Sequence, residues 1–534
     1  MNKESFFTPQ PINDFFYDIC QKPHGSGQEN EVRQYVIEVI NQFNQKHPQH
    51  PIQIVHYDKK ANTPGQRVIV LRKEAAPGLV GKPTVILQAH MDMVCVPHDN
   101  IFPLALNKYT DEEGITWLKA GGKTEKDGTT LGADNGMGVA TALAIITDTE
   151  QNYGPIECLF TVQEETNLAG AREFDLNWLT GSAYINLDSE DKDIITYGSA
   201  GGSEALYKWK PQTEFIPANN ITYNIRLLGL KGGHSGVNIA DGNANGIKIL
   251  AELLNHLRTV IKPGFNLVSF TGGIASNAIP NDVVAIITFD AQYIQDVSNQ
   301  CHEILTGFKQ LYKNTDPDFT WQITPVDNSL QMIATVDSNN LLELLTLLPT
   351  GPLKMIASRP EVVETSANLA IIKANTAMVN IHCSTRSSNE NSLAIIETIQ
   401  KAAARLFGLE MFLDLDTFDP QDLLNEEYPI ENSGILIISG NYPGWEPNEK
   451  SPLLTIAKEV YQDIYKGKFQ AQIIHAGLEC GWVVKRFAAT GRRIDCISIG
   501  PSARGLHTWN ERLDTASVEP FYRSVIEIIK KVQA

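Results

Sequence analysis

One pattern constrains this chain more than any other. Three times, a short apolar run ends in a side chain able to hold a metal. Thr84-Val85-Ile86-Leu87-Gln88-Ala89 leads into His90-Met91-Asp92; Cys158-Leu159-Phe160-Thr161-Val162 leads into Glu164-Glu165; Ala183-Tyr184-Ile185-Asn186-Leu187 leads into Asp188. Runs of this length read as buried strands. Side chains two apart on a strand share a face, so His90 and Asp92 can reach one point in space. Open α/β sheets place their ligands beyond the carboxyl ends of their strands. Any one run could be an ordinary solvated strand end; together they describe one carboxylate-rich pocket along one sheet edge. Crowded carboxylates repel and shift one another's pKa unless a cation neutralises them. Imidazole and carboxylate donors without thiolate suit catalytic zinc, with manganese or cobalt as substitutes. If the second strand continues, Glu164 and Glu165 point to opposite faces, so one could bind metal while the other works as a base.

A further stretch joins this set. Thr130-Leu131-Gly132-Ala133-Asp134-Asn135-Gly136 leads into an apolar helix through Ala140–Ile146. Its glycines permit tight turns. Asp134 is placed either as a helix N-cap or as a metal ligand.

The rest of the chain bounds the class. Its 534 residues exceed one typical domain. A formal net charge of -18 argues against nucleic acid and against an anionic membrane surface. The amino-terminal residues lack an apolar signal core, and no run of about 18 apolar residues occurs, so a cytoplasmic protein without a membrane span is expected. The seven cysteines are scattered without a C-x-x-C and read as reduced thiols. Ser26-Gly27-Gln28-Glu29 reads as a capping box opening a helix through Phe43. Residues 97–130, which include Gly121-Gly122-Lys123, read as one long irregular loop.

These motifs resemble a known family. His90-Met91-Asp92, Gly132-Ala133-Asp134-Asn135-Gly136, Glu164-Glu165 and Asp188 look like the metal-site motifs of the di-zinc metallopeptidases that include glutamate carboxypeptidase, acetylornithine deacetylase and carnosinase. Lys231-Gly232-Gly233-His234-Ser235-Gly236 resembles the lid histidine motif of that family. Val363-Glu364-Thr365-Ser366-Ala367-Asn368-Leu369, Asn277-Ala278-Ile279-Pro280 and His475-Ala476-Gly477-Leu478-Glu479-Cys480-Gly481 resemble its aminoacyl-histidine (cytosol non-specific) dipeptidase branch.

The resemblance implies a role for each matching position. Two divalent ions would be bridged by Asp134, with His90 and Asp188 on one side and Glu165 and a late histidine, His507, on the other. Glu164 would be the general base, and Asp92 would orient the His90 imidazole. His234 would polarise the carbonyl or donate to the oxyanion. Arg386 and Asn277 would hold the substrate's carboxylate end. His475 and Glu479 stand four apart, on one face if helical; they either line the pocket, His475 then at the substrate, or are structural. A cis peptide is implied at Asp134–Asn135. Before Asn277 the chain carries Gly273-Ile274-Ala275-Ser276 where a basic residue is usual, and after His507 it carries Trp509-Asn510 where Pro-Asp is usual. Both departures bear on substrate preference.

The expected fold is α/β: a di-zinc-peptidase-like catalytic domain, a mixed sheet flanked by helices, interrupted by an enlarged α+β lid. The expected limits are 1–196 and 445–534 for the catalytic domain and 197–444 for a lid that also dimerises. Within the lid, strands are expected at Ile221–Leu228, Val283–Phe289, Ala370–Lys373 and Ala377–Cys383. Helices are expected at Asn243–Val260, Val297–Leu311, Asn339–Leu348 and Ser392–Phe407. Hinges are expected near Ser199–Gly202 and Gly440–Gly444. The expected reaction is metal-dependent hydrolysis of unblocked dipeptides, Xaa-His among them, by a homodimer whose His234 comes from its own lid or its neighbour's. An N-acyl amino acid deacylase on the same scaffold, or a non-catalytic metal- or peptide-binding protein, are the alternatives.

Overall fold

The computed structural model describes residues 4–97, 101–122, 124–261, 264–327, 330–415 and 434–534. Residues 98–100 and Lys123 of the expected long loop lie outside the described residues. The chain forms two units. One holds Met1–Ser199, Trp445–Ile474 and Leu478–Ala534; the other holds Ala200–Gly444 and the tripeptide His475–Gly477. Sequence reading had set the limits at 196 and 444 and had not separated 475–477 from the residues around it.

The first unit is built on an eight-stranded sheet. Its order is Ile52–His56, Ile69–Lys73, Ile156–Thr161, Val85–His90, Ala183–Asn186, Asp495–Ser498, Ile194–Ser199, Gln470–Ile474. The four strands from Ile156–Thr161 to Asp495–Ser498 run parallel. Alternation along them divides the core. Leu71, Val85, Leu87, Cys158, Phe160 and Ile185 face one hydrophobic cluster, and Val70, Ile86, Leu159 and Tyr184 face another. Burial on both faces explains why these strands read as unbroken apolar runs.

The first cluster is covered by Gln10–Cys20, Asn30–Lys46, Ala133–Ile146, Pro452–Ile464 and Val518–Val532, and the second includes residues of Glu479–Ala489. Val518–Val532 buries Phe521, Val525, Ile528 and Ile529, the spacing of a single helical face.

Two local readings in this unit differ from the structure. The capping box does not form: the helix opens at Asn30, its N-cap is Glu29, and no side chain caps it. Ser26 and Glu29 are engaged elsewhere, as described below. The expected loop after Pro97 instead carries the strands Leu106–Thr110, Thr116–Gly121 and Gly128–Thr129. These join Ala503–Arg504 and Arg512–Asp514 in a second sheet. Thr116–Gly121 pairs locally with Leu106–Thr110 and Gly128–Thr129, and only Arg512–Asp514 reaches it from almost 400 positions away.

The second unit is a ten-stranded sheet, antiparallel except where Leu409–Leu415 pairs with Gly434–Tyr442. Helices Gly246–Val260, Ile294–Leu311, Thr335–Leu347 and Glu390–Leu406 contribute to its core. The strands and helices expected here are present with shifted ends. Both expected hinge stretches are largely strand: Gly201–Trp209 pairs with Gly434–Tyr442. The chain nevertheless passes from one unit to the other within the first stretch, after Ser199, and at the end of the second, after Gly444. No helix among the described residues is long and apolar enough to cross a membrane.

Candidate metal centre and active site

The sheet delivers its acids and imidazoles to one edge. His90 ends the Val85–His90 strand, and Asp92 follows by two residues. Glu164 and Glu165 open a short helical turn three residues past the Ile156–Thr161 strand. Asp188 lies two residues past Ala183–Asn186. His507 lies nine past Asp495–Ser498, in a left-handed conformation with φ 58°. The Ile156–Thr161 strand does not continue through the glutamates, so their different directions come from the turn and not from pleating.

Asp134 stands at the centre. Its Oδ1 lies 2.9 Å from His90 Nε2, and its Oδ2 lies 3.3 Å from His507 Nε2. His90 Nε2 also faces Asp188 Oδ1 at 3.2 Å, and His507 Nε2 faces Glu165 Oε2 at 2.9 Å. Five side chains therefore form two groups sharing one carboxylate. Donor atoms of His90, Asp134 and Glu165 all lie within 4.8 Å of one another.

The electrostatics of this cluster are those of a site that needs cations. Burial raises Asp188 to about 7, the His90 charge opposing and the Asp134 and Glu165 charges reinforcing. Burial and the Asp134 charge raise Glu165. Glu165 Oε1 is buried without a hydrogen-bond partner, and Asp188 Oδ1 takes none either despite its approach to His90. Burial alone would lower His507, but its contacts with Asp134 and Glu165 lift it to about 11. A neutral imidazole has only one N–H, so each Nε2 facing two carboxylate oxygens requires either a proton or a cation. The donor set, two imidazoles and three carboxylates with unsatisfied oxygens, fits two divalent ions.

Surrounding groups hold these ligands. The acceptor nearest His90 Nδ1 is the backbone carbonyl of Asp92, at 3.0 Å, with the Asp92 carboxylate at 3.5 Å. That carboxylate is turned mainly to the glutamates. It accepts from Glu164 N at 3.0 Å, Glu165 N at 3.2 Å and Ser26 Oγ at 2.8 Å. Burial opposes its ionisation, yet His90, Ser26 and Glu164 N hold its pKa below the ordinary value. Glu164 is raised well above its usual value by burial, with the His90 charge opposing and the Asp188, Glu165 and Glu479 charges adding.

Sequence reading missed Glu511. This buried carboxylate accepts from four successive backbone N–H groups: Leu131 at 2.7 Å, Gly132 at 3.1 Å, Ala133 at 2.8 Å and Asp134 at 3.4 Å. It fixes the turn that presents Asp134. Gly132 there has φ +70°, and a Cβ would come within 2.7 Å of Met93 Sδ, so any other residue would have to displace the Met93 side chain. The Asp134–Asn135 bond is cis. Glu511 stands four residues beyond His507, and that proximity was its only sequence signal.

The second unit gathers a different set. His234 Nδ1 accepts from Gly236 N and Val237 N, both at 3.1 Å. Its proton therefore resides on Nε2, which is left as a donor. His475 Nε2 pairs with Ser366 Oγ at 2.7 Å. Burial, and then the Arg386 charge, lower both histidines, His475 to about 4. Arg386 Nη1 donates to Tyr442 Oη at 3.2 Å, while its buried Nε has no partner. Asn277 gives its backbone carbonyl to Ser235 N at 2.8 Å and its side chain is exposed.

His475 and Glu479 do not share a helix face: the helix begins at Glu479, and the two residues belong to different units. Glu479 is buried against Gln88 Nε2 and Thr161 Oγ1, and burial pushes it up to about 8.

The comparisons with known proteins agree with this architecture. A curated relative, cytosol non-specific dipeptidase from Escherichia coli (strain K12), is 30% identical over 543 aligned residues and covers 100% of both chains. Among solved structures, aminoacylhistidine dipeptidase from Vibrio alginolyticus is similar with a TM-score of 0.81 and 28% identity, covering 99% of this chain and 98% of that one. Aminopeptidase PepT from Bacillus cereus ATCC 10987 shares the fold at a TM-score of 0.52 and 15% identity, covering 99% and 100%. The model of peptidase family M20/M25/M40 matches residues 86–531, from the strand that carries His90 into the last helix. A chain whose sheet edge, shared aspartate and near-entire length all fall within that match belongs to peptidase family M20/M25/M40.

Proposed function

We propose that this protein is a metal-dependent dipeptidase acting on unblocked dipeptides, with Xaa-His substrates preferred. The observation that carries the reading is Asp134, whose two oxygens are divided between two imidazoles, each backed by a further carboxylate. His90, Asp134 and Asp188 would hold one divalent ion, and Asp134, Glu165 and His507 the other. Zinc suits these donors, with manganese or cobalt as alternatives. Bound, such a pair lowers the pKa of water and polarises a carbonyl.

The chain's own groups do the rest. Glu164 takes a proton from the attacking water and returns it to the departing amine. Asp92 holds Glu164 and Glu165 by their backbone N–H groups and supports the His90 imidazole through its carbonyl. His234 offers Nε2–H to the developing oxyanion. Arg386, with Nε unpaired, binds the substrate carboxylate, and Asn277 and neutral His475 border that end. His234, Arg386 and His475 lie in one unit of one chain, and the Arg386 charge acts on both imidazoles. His234 then reaches the scissile carbonyl either from the chain's own lid or from a dimer partner's. The dipeptide preference rests on the names of the two full-length relatives.

The test is a panel of Xaa-His dipeptides, other dipeptides, tripeptides and N-acetyl amino acids on metal-reconstituted enzyme. A preference for N-acetyl amino acids would replace this reading with deacylation.

A further inference from the structure

Asp92 fixes the Glu164 amide, but the turn that aims the Glu164 side chain begins one residue earlier. Gln163, the residue before it, has φ 55° and ψ 37°, a left-handed conformation that a non-glycine residue seldom adopts without support. Its backbone N–H is held at 3.1 Å by Oε1 of Glu29, 134 positions away. Oε1 also accepts from Gly27 N at 2.8 Å, and Oε2 is paired with Arg67 Nη2. Glu29 is fully buried. Arg67 is nearly so, and its backbone carbonyl accepts from Arg33 Nε at 2.6 Å.

Asp92 then takes the next two amides, Glu164 N and Glu165 N, and also accepts from Ser26 Oγ. Three successive N–H groups are thus gripped by two carboxylates, and the Ser26–Glu29 segment contributes to both grips. The same segment is anchored below His90, where Met93 N donates to His24 O at 3.0 Å.

We propose that Glu29, neutralised by Arg67, is a positioning residue for catalysis: it holds the Gln163 amide in the left-handed turn that directs the Glu164 carboxylate. The proposal rests on Glu164 being the base. Glu29 needs only an acceptor oxygen for this task; the charge of Glu29 and the charge of Arg67 serve each other. A misplacement of about 1 Å at a reacting group costs on the order of 10²-fold in rate.

Two double variants separate positioning from stability, because both remove the buried ion pair whole. E29Q/R67M keeps an oxygen where Gln163 N needs one; E29L/R67M does not. The expected result is that E29L/R67M loses at least ~10-fold in kcat with KM within ~2-fold of wild type. E29Q/R67M should recover most of that loss. Hydrogen exchange at the Gln163, Glu164 and Glu165 amides should be faster in the leucine variant alone, and this readout is taken on apo protein so that it does not depend on metal. Equal kcat in the two double variants overturns the proposal, as does equal amide exchange. An active Glu164→Gln enzyme would instead overturn the base assignment and would leave the exchange difference intact, so the two failures can be told apart.

Discussion

Glu511→Gln is the most informative single change at the metal centre. The wild-type carboxylate serves Leu131 N and Gly132 N with one oxygen and Ala133 N and Asp134 N with the other. A glutamine has one acceptor oxygen and turns its NH2 toward the remaining pair. That oxygen is expected to stay with Leu131 and Gly132, because the Asp134 contact is the longest of the four. Two buried N–H groups then lose their acceptor, at ~1–3 kcal/mol each. Part of this is offset. Burial, against the pull of the Gly132 N–H, raises Glu511 to about 7, so a neutral side chain is easier to bury than the carboxylate.

The net expectation is ~2–4 kcal/mol of destabilisation, a large fraction of the ~5–15 kcal/mol that holds a typical domain. Urea unfolding of the apo protein reads it as a lower midpoint at unchanged slope. Metal affinity should fall too, because the turn that presents Asp134 is loosened. A variant that unfolds within ~0.5 kcal/mol of wild type and binds both ions equally well would refute the idea that these four bonds organise the site.

Other outcomes follow from the same geometry. Glu164→Gln should keep its metal and lose at least ~10²-fold in kcat; loss of metal here with retention in Glu165→Gln would exchange the two roles. Asp134→Asn should lower the content of both ions together, measured by elemental analysis, and loss of a single ion would show that Asp134 is not shared. His234→Ala and Glu164→Gln proteins, mixed under conditions of proven subunit exchange, should regain activity if a dimer partner supplies the histidine; no recovery would rule out the shared arrangement and leave each chain to supply its own. His475, held at about 4 by burial and by Arg386, takes up its proton on unfolding near 6.5 but only near 4 when folded. Stability should therefore fall as pH drops through that window, and His475→Gln should flatten the slope; an unchanged slope would show that the residue titrates normally.

The catalytic sheet was legible because its strands are buried on both faces and end abruptly in acids. Val85–His90 and Ile156–Thr161 could be read as core strands from composition alone. Asp134 could not be separated from an N-cap without the resemblance, since a loop-to-helix aspartate looks the same in either role. Glu511 and Glu29 were invisible for a different reason. Each serves backbone amides far off in the chain, and a backbone donor leaves no mark on the sequence. Ser26 and Glu29 misled for the same cause: their spacing matched a local cap, but distant partners claimed both. In the second unit, Gly201–Trp209 and Gly434–Tyr442 were missed because their glycines signalled turns, while the pairing that makes them strands joins segments more than 200 residues apart.

The position of the Asp495–Ser498 strand sets an order on how activity is acquired. Ala183–Asn186 and Ile194–Ser199 are neighbours in sequence but not in the sheet; the late strand lies between them. During synthesis the sheet must therefore wait with a slot open while about 300 further residues are made, a long loop to close and a slow contact to form. His507 and Glu511 arrive with the strand that fills the slot. A chain truncated before residue 495 would carry His90, Asp134, Glu164, Glu165 and Asp188, yet lack the second imidazole and the grip on the Asp134 turn. Metal-dependent hydrolysis would thus have to wait until residues 495–511 are made and inserted.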